Sequence, residues 1–250
     1  MEPEIEVILF DLGKTLLFPV HPWPGILTQA DTALINILVE AGIITSDSFS
    51  PDEFQARLND YYDQRNIDNI ELTSTIVFKE FLSSKGFKDV PELNLRKALD
   101  AMYAVTQSNW QIEDDAHLVL NTLTEMGYRL GLLSNASDDR DVQQLIDHWE
   151  LRQHFEFILT SAAAGFRKPH PILFQKALEF FNVSPFQAAM VGDTLNADIA
   201  GAENLGLYGI WITRRTQLPL DGDLEVQPHA IISSLKELPH LLKDIQLDSL

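Results

Sequence analysis

The sequence predicts an α/β protein, with a doubly wound, Rossmann-like parallel sheet that carries an all-helical cap domain. From about residue 111 onward, short apolar runs alternate with helical patterns, which is typical of parallel βαβ units. Residues 5–10 form a nearly continuous apolar run rich in β-branched side chains, as expected for a strand buried on both faces. Between these two parts, residues 21–25 are expected to form a loop, and the patterns from there to about residue 108 are helical and indicate no strand. We therefore expect a helical insertion directly after the first strand.

The predicted cap contains four helical segments. Apolar side chains recur at helical spacing over residues 30–41, and Gly42 is a suitable stop. The Ser-Pro-Asp-Glu sequence at 50–53 reads as a capping box with proline at the first helical position. Two further helical patterns cover about residues 73–84 and 94–108.

The predicted core alternates strands with helices. Its later strands are expected at residues 130–133, 155–159, 189–191, 208–212 and 230–232. Its helices are expected at 115–126, 139–149, 171–180 and 196–204, with a closing helix from residue 234. Residues 219–223 are expected to form an exposed loop. This pattern divides the chain into an α/β core, 1–17 and 110–250, and a helical cap, 18–109.

Composition limits the classes of partner. The 250 residues include 18 Lys and Arg against 37 Asp and Glu, a net charge of −19. Nucleic-acid backbones and anionic membranes both attract basic surfaces, so we expect neither as a partner. The chain has no cysteine, which excludes disulfides, thiolate metal sites and cysteine nucleophiles. Residues 1–4 lack the basic start of a signal peptide, so we expect a cytoplasmic protein, while the oligomeric state stays open.

Polar side chains follow several of the predicted strands. In open α/β sheets, ligands bind at the carboxyl ends of the strands, so these side chains are expected to converge. The groups delivered there are Asp11 with Leu12 and Gly13, Ser134 with Asn135, Lys168 before a helix, and Asp193 with Asp198. Taken singly, each group has a plain structural interpretation: an Asx turn, a helix N-cap or a surface lysine. Three carboxylates, a hydroxyl and a lysine at one edge are hard to explain by packing.

The order and spacing of these residues resemble the haloacid dehalogenase-like (HAD) superfamily of hydrolases. The four motifs of that family are matched by Asp11, by Ser134, by Lys168 and by the pair Asp193 and Asp198. The resemblance covers about residues 5–212. The helical block after the first motif looks like the α-helical cap of the family.

The resemblance implies a Mg²⁺-dependent phosphatase of a small phosphorylated metabolite. Mg²⁺ is a hard cation that prefers carboxylate, carbonyl and water oxygens. The expected ligands are Asp11, the carbonyl of Gly13 and Asp193, with Asp198 bound directly or through water.

The resemblance also implies a covalent mechanism. Asp11 would attack phosphorus and form an aspartyl-phosphate that water later hydrolyses. Lys168 would neutralise the nucleophile and the phosphate. The Ser134 hydroxyl and backbone N–H groups near Leu12 and Asn135 would hold the phosphoryl oxygens.

One position departs from the phosphatase pattern. Phosphatases of this family usually carry a second Asp two residues after the nucleophile, as general acid and base, and here that position is Gly13. General acid–base help contributes roughly 10²–10⁴ in rate. We therefore expect either leaving groups of low pKa or an acid supplied by the cap, for which His21 is a candidate. Lys14 either adds a cation near the site or points to solvent.

Two other functions remain open from the sequence. A metal-independent 2-haloacid dehalogenase would also use an Asp nucleophile, but it would gain nothing from the acidic pair Asp193 and Asp198. A non-catalytic member of the family that binds a phosphate ligand or a partner is the second alternative, and Gly13 is its only support.

Overall fold

The computed structural model describes residues 5–216 and 226–248 of the chain. Its strands are β1 (Val7–Phe10), β2 (Leu17–Pro19), β3 (Trp110–Ile112), β4 (Arg129–Ser134), β5 (Phe157–Thr160), β6 (Ala188–Gly192), β7 (Tyr208–Ile212) and β8 (Ala230–Ile232). Six of them form a parallel sheet in the order β5-β4-β1-β6-β7-β8. The predicted fold class is therefore confirmed. The loop expected at 219–223 lies outside the described residues.

The helices pack on both faces of the sheet and beside it. They are α1 (Trp23–Glu40), α2 (Pro51–Asp68), α3 (Ser74–Ser84), α4 (Glu92–Gln107), α5 (Ala116–Glu125), α6 (Asp139–His148), α7 (Ser161–Ala164), α8 (Ile172–Phe181), α9 (Gly201–Glu203) and α10 (Leu238–Asp248). Ile8 and Phe10 of β1 face the cluster that includes α5, α6 and α10, whereas Val7 and Leu9 face α8. This alternation explains why β1 reads as a continuous apolar run, since both of its faces are buried.

Helices α1 to α4 have a hydrophobic cluster of their own, separate from the two that cover the sheet. Helix α2 begins at the predicted capping box: Glu53 N–H donates to Ser50 Oγ, and Ser50 N–H donates to Glu53 Oε2. No helix among the described residues is long and apolar enough to cross a membrane. The division into a core and a cap with boundaries at 17/18 and 109/110 stays a proposal.

Two short strands that flank the helical block were not predicted from the sequence. Strand β2 pairs with β3 in an antiparallel ribbon, with Leu17 opposite Ile112 and Pro19 opposite Trp110. The ribbon joins the two points where the chain passes between the sheet and the helical block. Each strand has three residues, too few to show a period of two in the sequence, and each depends on a partner about 90 residues away.

Most later elements lie within a residue of their predicted bounds, while the closing helix α10 starts at Leu238 after a 3₁₀ turn, and two others differ more. Strand β5 starts at Phe157 rather than at 155, because Arg152–His154 form a 3₁₀ turn. The helix expected at 196–204 is a π-helical turn, Leu195–Ala200, that runs into α9. Such wide turns are rare, occur frequently at functional sites and have no single-sequence signature.

Candidate active site

The carboxyl ends of three neighbouring strands deliver the central side chains. Asp11 directly follows β1, Ser134 ends β4 and Asp193 directly follows β6. Because β4, β1 and β6 are adjacent in the sheet, the three residues lie at one edge. Asp198, in the π-helical turn, and Lys168, between α7 and α8, complete the group. The structure thus brings together all four motifs that the sequence pointed to.

Lys168 is buried at the centre of this group, with 2% of its surface exposed. Its Nζ lies 2.8 Å from Asp11 Oδ1 and 2.7 Å from Asp198 Oδ1, and it donates to the carbonyl oxygen of Leu133 at 2.6 Å. Burial lowers the pKa of Lys168, but the charges of Asp11 and Asp198 outweigh it and the net pKa is raised. Lys168 is therefore a fixed cation between two acids.

The side chain of Asn135 holds the backbone of Lys168 in place. Its Nδ2 donates to the carbonyl oxygen of Lys168 at 2.9 Å, and its Oδ1 accepts from the N–H of Lys168 at 2.8 Å. From the sequence, only the backbone N–H of Asn135 was given a role, which was to bind a phosphoryl oxygen. This positioning role of the amide has no sequence signal, because it joins residues that are 33 apart in the chain.

Asp11, Asp193 and Asp198 form a cluster that fits a divalent cation. One carboxylate oxygen from each lies within 4.8 Å of the others, and all three residues are buried. Burial raises the pKa of Asp11 and of Asp193, and their acidic neighbours raise both further. A single buried ammonium group does not balance three acids, so the cluster has excess negative charge and hard oxygen donors. Mg²⁺ matches both properties.

The acidic pair is held by its own turn. Asp198 Oδ2 accepts from the N–H of Thr194 at 3.0 Å, and Asp193 Oδ1 accepts from Thr194 Oγ1 at 3.1 Å. The indole of Trp211 donates to the carbonyl oxygen of Asp193 at 2.8 Å. A Cβ at Gly192 would lie 2.4 Å from the Asp198 carboxylate, so only glycine leaves room for that acid.

Unused hydrogen-bond donors surround Asp11. The Ser134 hydroxyl lines the cavity above Asp11 and has no hydrogen-bond partner among the described residues. The same holds for the N–H groups of Leu12 and Asn135, which no described acceptor receives. These are the three donors that the family resemblance implies as hydrogen-bond donors to the phosphoryl oxygens of the substrate.

The space beside Gly13 is taken by an aromatic ring. A Cβ at Gly13 would lie 3.3 Å from the ring of Trp110, which itself packs edge-to-face on Trp23 at 5.3 Å. An aspartate at this position would press on the indole. The indole thus packs against Gly13, and a side chain at this position would require the ring to shift by a few tenths of an ångström.

A cavity of about 450 Å³ extends from this edge into the helical block. Lys14 lines it, is exposed and has a left-handed backbone with φ of 60°. His21 is exposed and does not line it; its backbone pairs instead with the amide of Asn109. The geometry supports Lys14 as a cation near the site and does not support His21 as an acid.

Glu71, between α2 and α3, is a buried carboxylate whose several polar partners were not predicted from the sequence. It accepts hydrogen bonds from Tyr61 at 2.7 Å, Arg65 at 3.1 Å and Ser161 at 2.8 Å. Arg167, the residue before Lys168, lies 3.8 Å from it. One carboxylate thus joins the helical block to the sheet side of the cavity. In the sequence it is one of 37 acids with no pattern around it.

Comparison with known proteins agrees with this geometry. A family model described as haloacid dehalogenase-like hydrolase matches residues 5–206. The chain belongs to this family. The resemblance inferred from the four motifs is therefore confirmed, and the protein is a hydrolase of the HAD superfamily.

Named relatives match parts of the chain. A glyceraldehyde 3-phosphate phosphatase of Pyrococcus abyssi is 41% identical over 96 residues, 38% of this chain and 40% of the relative. A phosphoserine phosphatase of Thermus thermophilus is 32% identical over 162 residues, 65% of this chain and 62% of the relative. The chain thus spans less than two thirds of either relative.

A solved structure shows the same fold along the whole chain. The 2-haloacid dehalogenase from Pseudomonas syringae pv. tomato superimposes with a TM-score of 0.72 at 22% identity, over 96% of this chain and 99% of that one. At this identity the match shows a shared fold alone, and the reaction has to be inferred from the residues of the site.

Proposed function

We propose that this HAD hydrolase is a Mg²⁺-dependent phosphatase that acts on a small phosphorylated metabolite through an aspartyl-phosphate at Asp11. The observation that carries the proposal is the contact of Lys168 with both Asp11 and Asp198, next to Asp193. Relatives named as phosphatases support the same reaction class. The cytoplasmic location stays a prediction from the sequence.

In this mechanism Asp11 attacks phosphorus, and the leaving oxygen departs on the opposite side. Lys168 keeps the Asp11 carboxylate oriented and offsets its charge as the anionic substrate approaches. The Ser134 hydroxyl and the N–H groups of Leu12 and Asn135 hold the phosphoryl oxygens. Mg²⁺, held by Asp11, Asp193, Asp198 and the Gly13 carbonyl, would supply positive charge that favours attack on a dianion.

The glycine at position 13 limits the leaving groups. Glycine brings no carboxyl group to position 13 that could protonate a departing alkoxide, and the ring of Trp110 packs against it. We propose that the enzyme favours leaving groups of low pKa, such as acyl phosphates and sugar-1-phosphates. The expected result is a kcat/KM that falls steeply as the pKa of the leaving alcohol rises.

The test is a phosphatase screen on purified protein with and without Mg²⁺, using acyl, sugar, aryl and alkyl phosphates. Activity that requires Mg²⁺ and is absent in Asp11→Asn supports the proposal. Halide release from 2-chloropropionate without metal would instead identify a dehalogenase. Zero turnover of every phosphate would identify a binding protein and overturn the enzymatic proposal.

A further inference from the structure

The two ends of the cavity differ in charge. Among the described residues that line it, the basic side chains are Lys14, Arg167 and Lys168, and all three come from the sheet side. Helices α1, α2 and α4 contribute no basic residue to the lining, but α1 contributes Asp31. The sheet side of the cavity therefore mixes these bases with the acids of the proposed metal cluster, whereas the only charged side chain that α1, α2 and α4 bring to the described lining is an acid.

Asp31 is a buried carboxyl group without a partner. It is 3% exposed in the middle of α1, on the same helix face as Leu27 and Ala30, and all three line the cavity. It accepts no hydrogen bond and forms no ion pair with any described residue. Burial, together with the charge of nearby Asp52, raises its pKa to about 7. Such a group is costly to bury unless something pairs with it.

Two further groups at this end lack partners. Gln55 Oε1 is buried and receives no hydrogen bond, although Gln55 lines the cavity. The hydroxyl of Tyr62 also lines it without a hydrogen bond to a described residue. Burial raises the pKa of Tyr62, and the charge of Asp31 raises it further. Asp31 and Gln55 Oε1 thus receive no hydrogen bond from any described residue, although both residues line the cavity.

Asp31 and Asp11 line the cavity from different elements, α1 and the loop after β1. Trp23, at the start of α1, packs on Trp110, whose ring lies beside Gly13. Asp31 comes eight residues later, about 12 Å along the helix axis at 1.5 Å per residue. Asp31 therefore lies about two helical turns along α1 from the residue that packs on Trp110.

We infer that the cap end of the cavity, formed by Asp31, Gln55 and Tyr62, is a subsite for a protonated amino group. The substrate is then a phosphate monoester with an ammonium group at the end remote from the phosphate. An ammonium group supplies both the positive charge that Asp31 lacks and three donors for these acceptors. The inference rests on the proposed phosphatase function, because that function fixes which end holds the phosphate.

The test measures binding, so that it does not depend on turnover. Calorimetry in the presence of Mg²⁺ compares ω-aminoalkyl, ω-hydroxyalkyl and n-alkyl phosphonates with chains of three to six carbons. We expect the wild type to bind the best amino-terminated compound at least about 10-fold more tightly than its methyl-terminated counterpart, as a charge-assisted hydrogen bond predicts. In Asp31→Asn this ratio should fall to within about two-fold.

A matched control is Asp52→Asn, which removes a neighbouring exposed carboxylate that does not line the cavity. This variant should keep the 10-fold ratio. Equal affinities of the amino- and methyl-terminated compounds for the wild type, or a ratio that survives in Asp31→Asn, would overturn the inference. Equal binding of the hydroxyl-terminated compound would refute the ammonium assignment. Binding with the expected ratio but no hydrolysis of the matching phosphate would defeat the proposed function alone.

Discussion

The buried ammonium group of Lys168 contacts three acceptors: the carboxylates of Asp11 and Asp198 and the carbonyl oxygen of Leu133. All three of its N–H donors can therefore be paired. In the sequence it is a lysine before a proline, and only its order among the motifs distinguishes it. Removing one partner of a buried charge network leaves the others uncompensated. This residue is therefore the most sensitive point of the site.

Lys168→Met should abolish measurable phosphatase activity and destabilise the protein by about 3 kcal/mol, because it leaves Asp11 and Asp198 facing each other without a cation. Enzyme assays and urea unfolding measure the two effects. The control is Lys176→Met, at an exposed position on α8, for which neither quantity should change. An active Lys168→Met enzyme would contradict the mechanism.

Asp31 gives a prediction about pH. Its pKa is about 7 in the folded protein against 3.8 in the unfolded chain, so the folded state binds more protons between these values. The wild type therefore loses stability relative to Asp31→Asn as pH rises from about 4 to 7, by at most about 1.4 kcal/mol per pH unit, and the difference levels off above 7. Unfolding at pH 5 and pH 8 checks this; a constant difference would show that the carboxyl group is solvated or paired.

Among the elements, the turn after β6 shows how backbone choice places a side chain. Gly192 ends the strand and Asp198 folds back over it, with the hydrogen bonds of Thr194 fixing both acids. The Gly-Asp pair after a buried strand can be recognised in the sequence. The π-helical turn that brings Asp198 back beside Asp193 cannot be predicted from the sequence, because it depends on contacts with the sheet.

Gly192→Ala should displace Asp198, since the added methyl would lie 2.4 Å from its carboxylate. We expect a destabilisation of about 1–3 kcal/mol, as for other overpacked sites, and a loss of at least about 100-fold in kcat/KM. Gly25→Ala is the control, because its Cβ would meet nothing within 4 Å. That variant should be neutral or slightly more stable. Normal activity of Gly192→Ala would remove Asp198 from the proposed site.

For the molecule as a whole, Glu71 joins the helical block to the sheet side. Backbone contacts run beside it: Glu71 N–H donates to Gly165, Arg167 N–H donates to Asn69, and Ser74 N–H donates to Ser137. The segment that leads into Lys168 is thus paired with the loop between α2 and α3. The position of the lysine and the docking of the helices are coupled through this contact.

Glu71→Gln should weaken that docking, because an amide cannot accept from all the donors that face it and leaves Arg65 without a buried counter-charge. We expect a loss of about 3 kcal/mol in unfolding free energy and faster hydrogen exchange at the N–H groups of Glu71, Ser74 and Arg167. Glu80→Gln, at an exposed ion pair with Arg57, is the control and should change neither. Unchanged exchange in Glu71→Gln would show that the backbone contacts suffice.

Much of the fold and the central site could be predicted because their signals are local. Apolar runs mark the buried strands, the capping box marks α2, and Asp11, Ser134 and Asp193 stand at strand ends. Lys168 was indicated only by its order among the motifs. The β2–β3 ribbon, the amide of Asn135 and the carboxylate of Glu71 were missed. Each of them pairs residues that are far apart in the chain, and no local pattern records such a pairing.

The sequence by itself determined the sheet and the helical insertion and pointed to Asp11, Ser134 and Asp193, because strand ends in a parallel sheet must meet at one edge. The order of the family motifs added Lys168 and Asp198. Only the tertiary structure decided what surrounds them. It placed Trp110 beside Gly13, left His21 outside the cavity and buried Asp31 at its far end. Those outcomes depend on how the helices dock over the sheet, which is set by packing between distant segments.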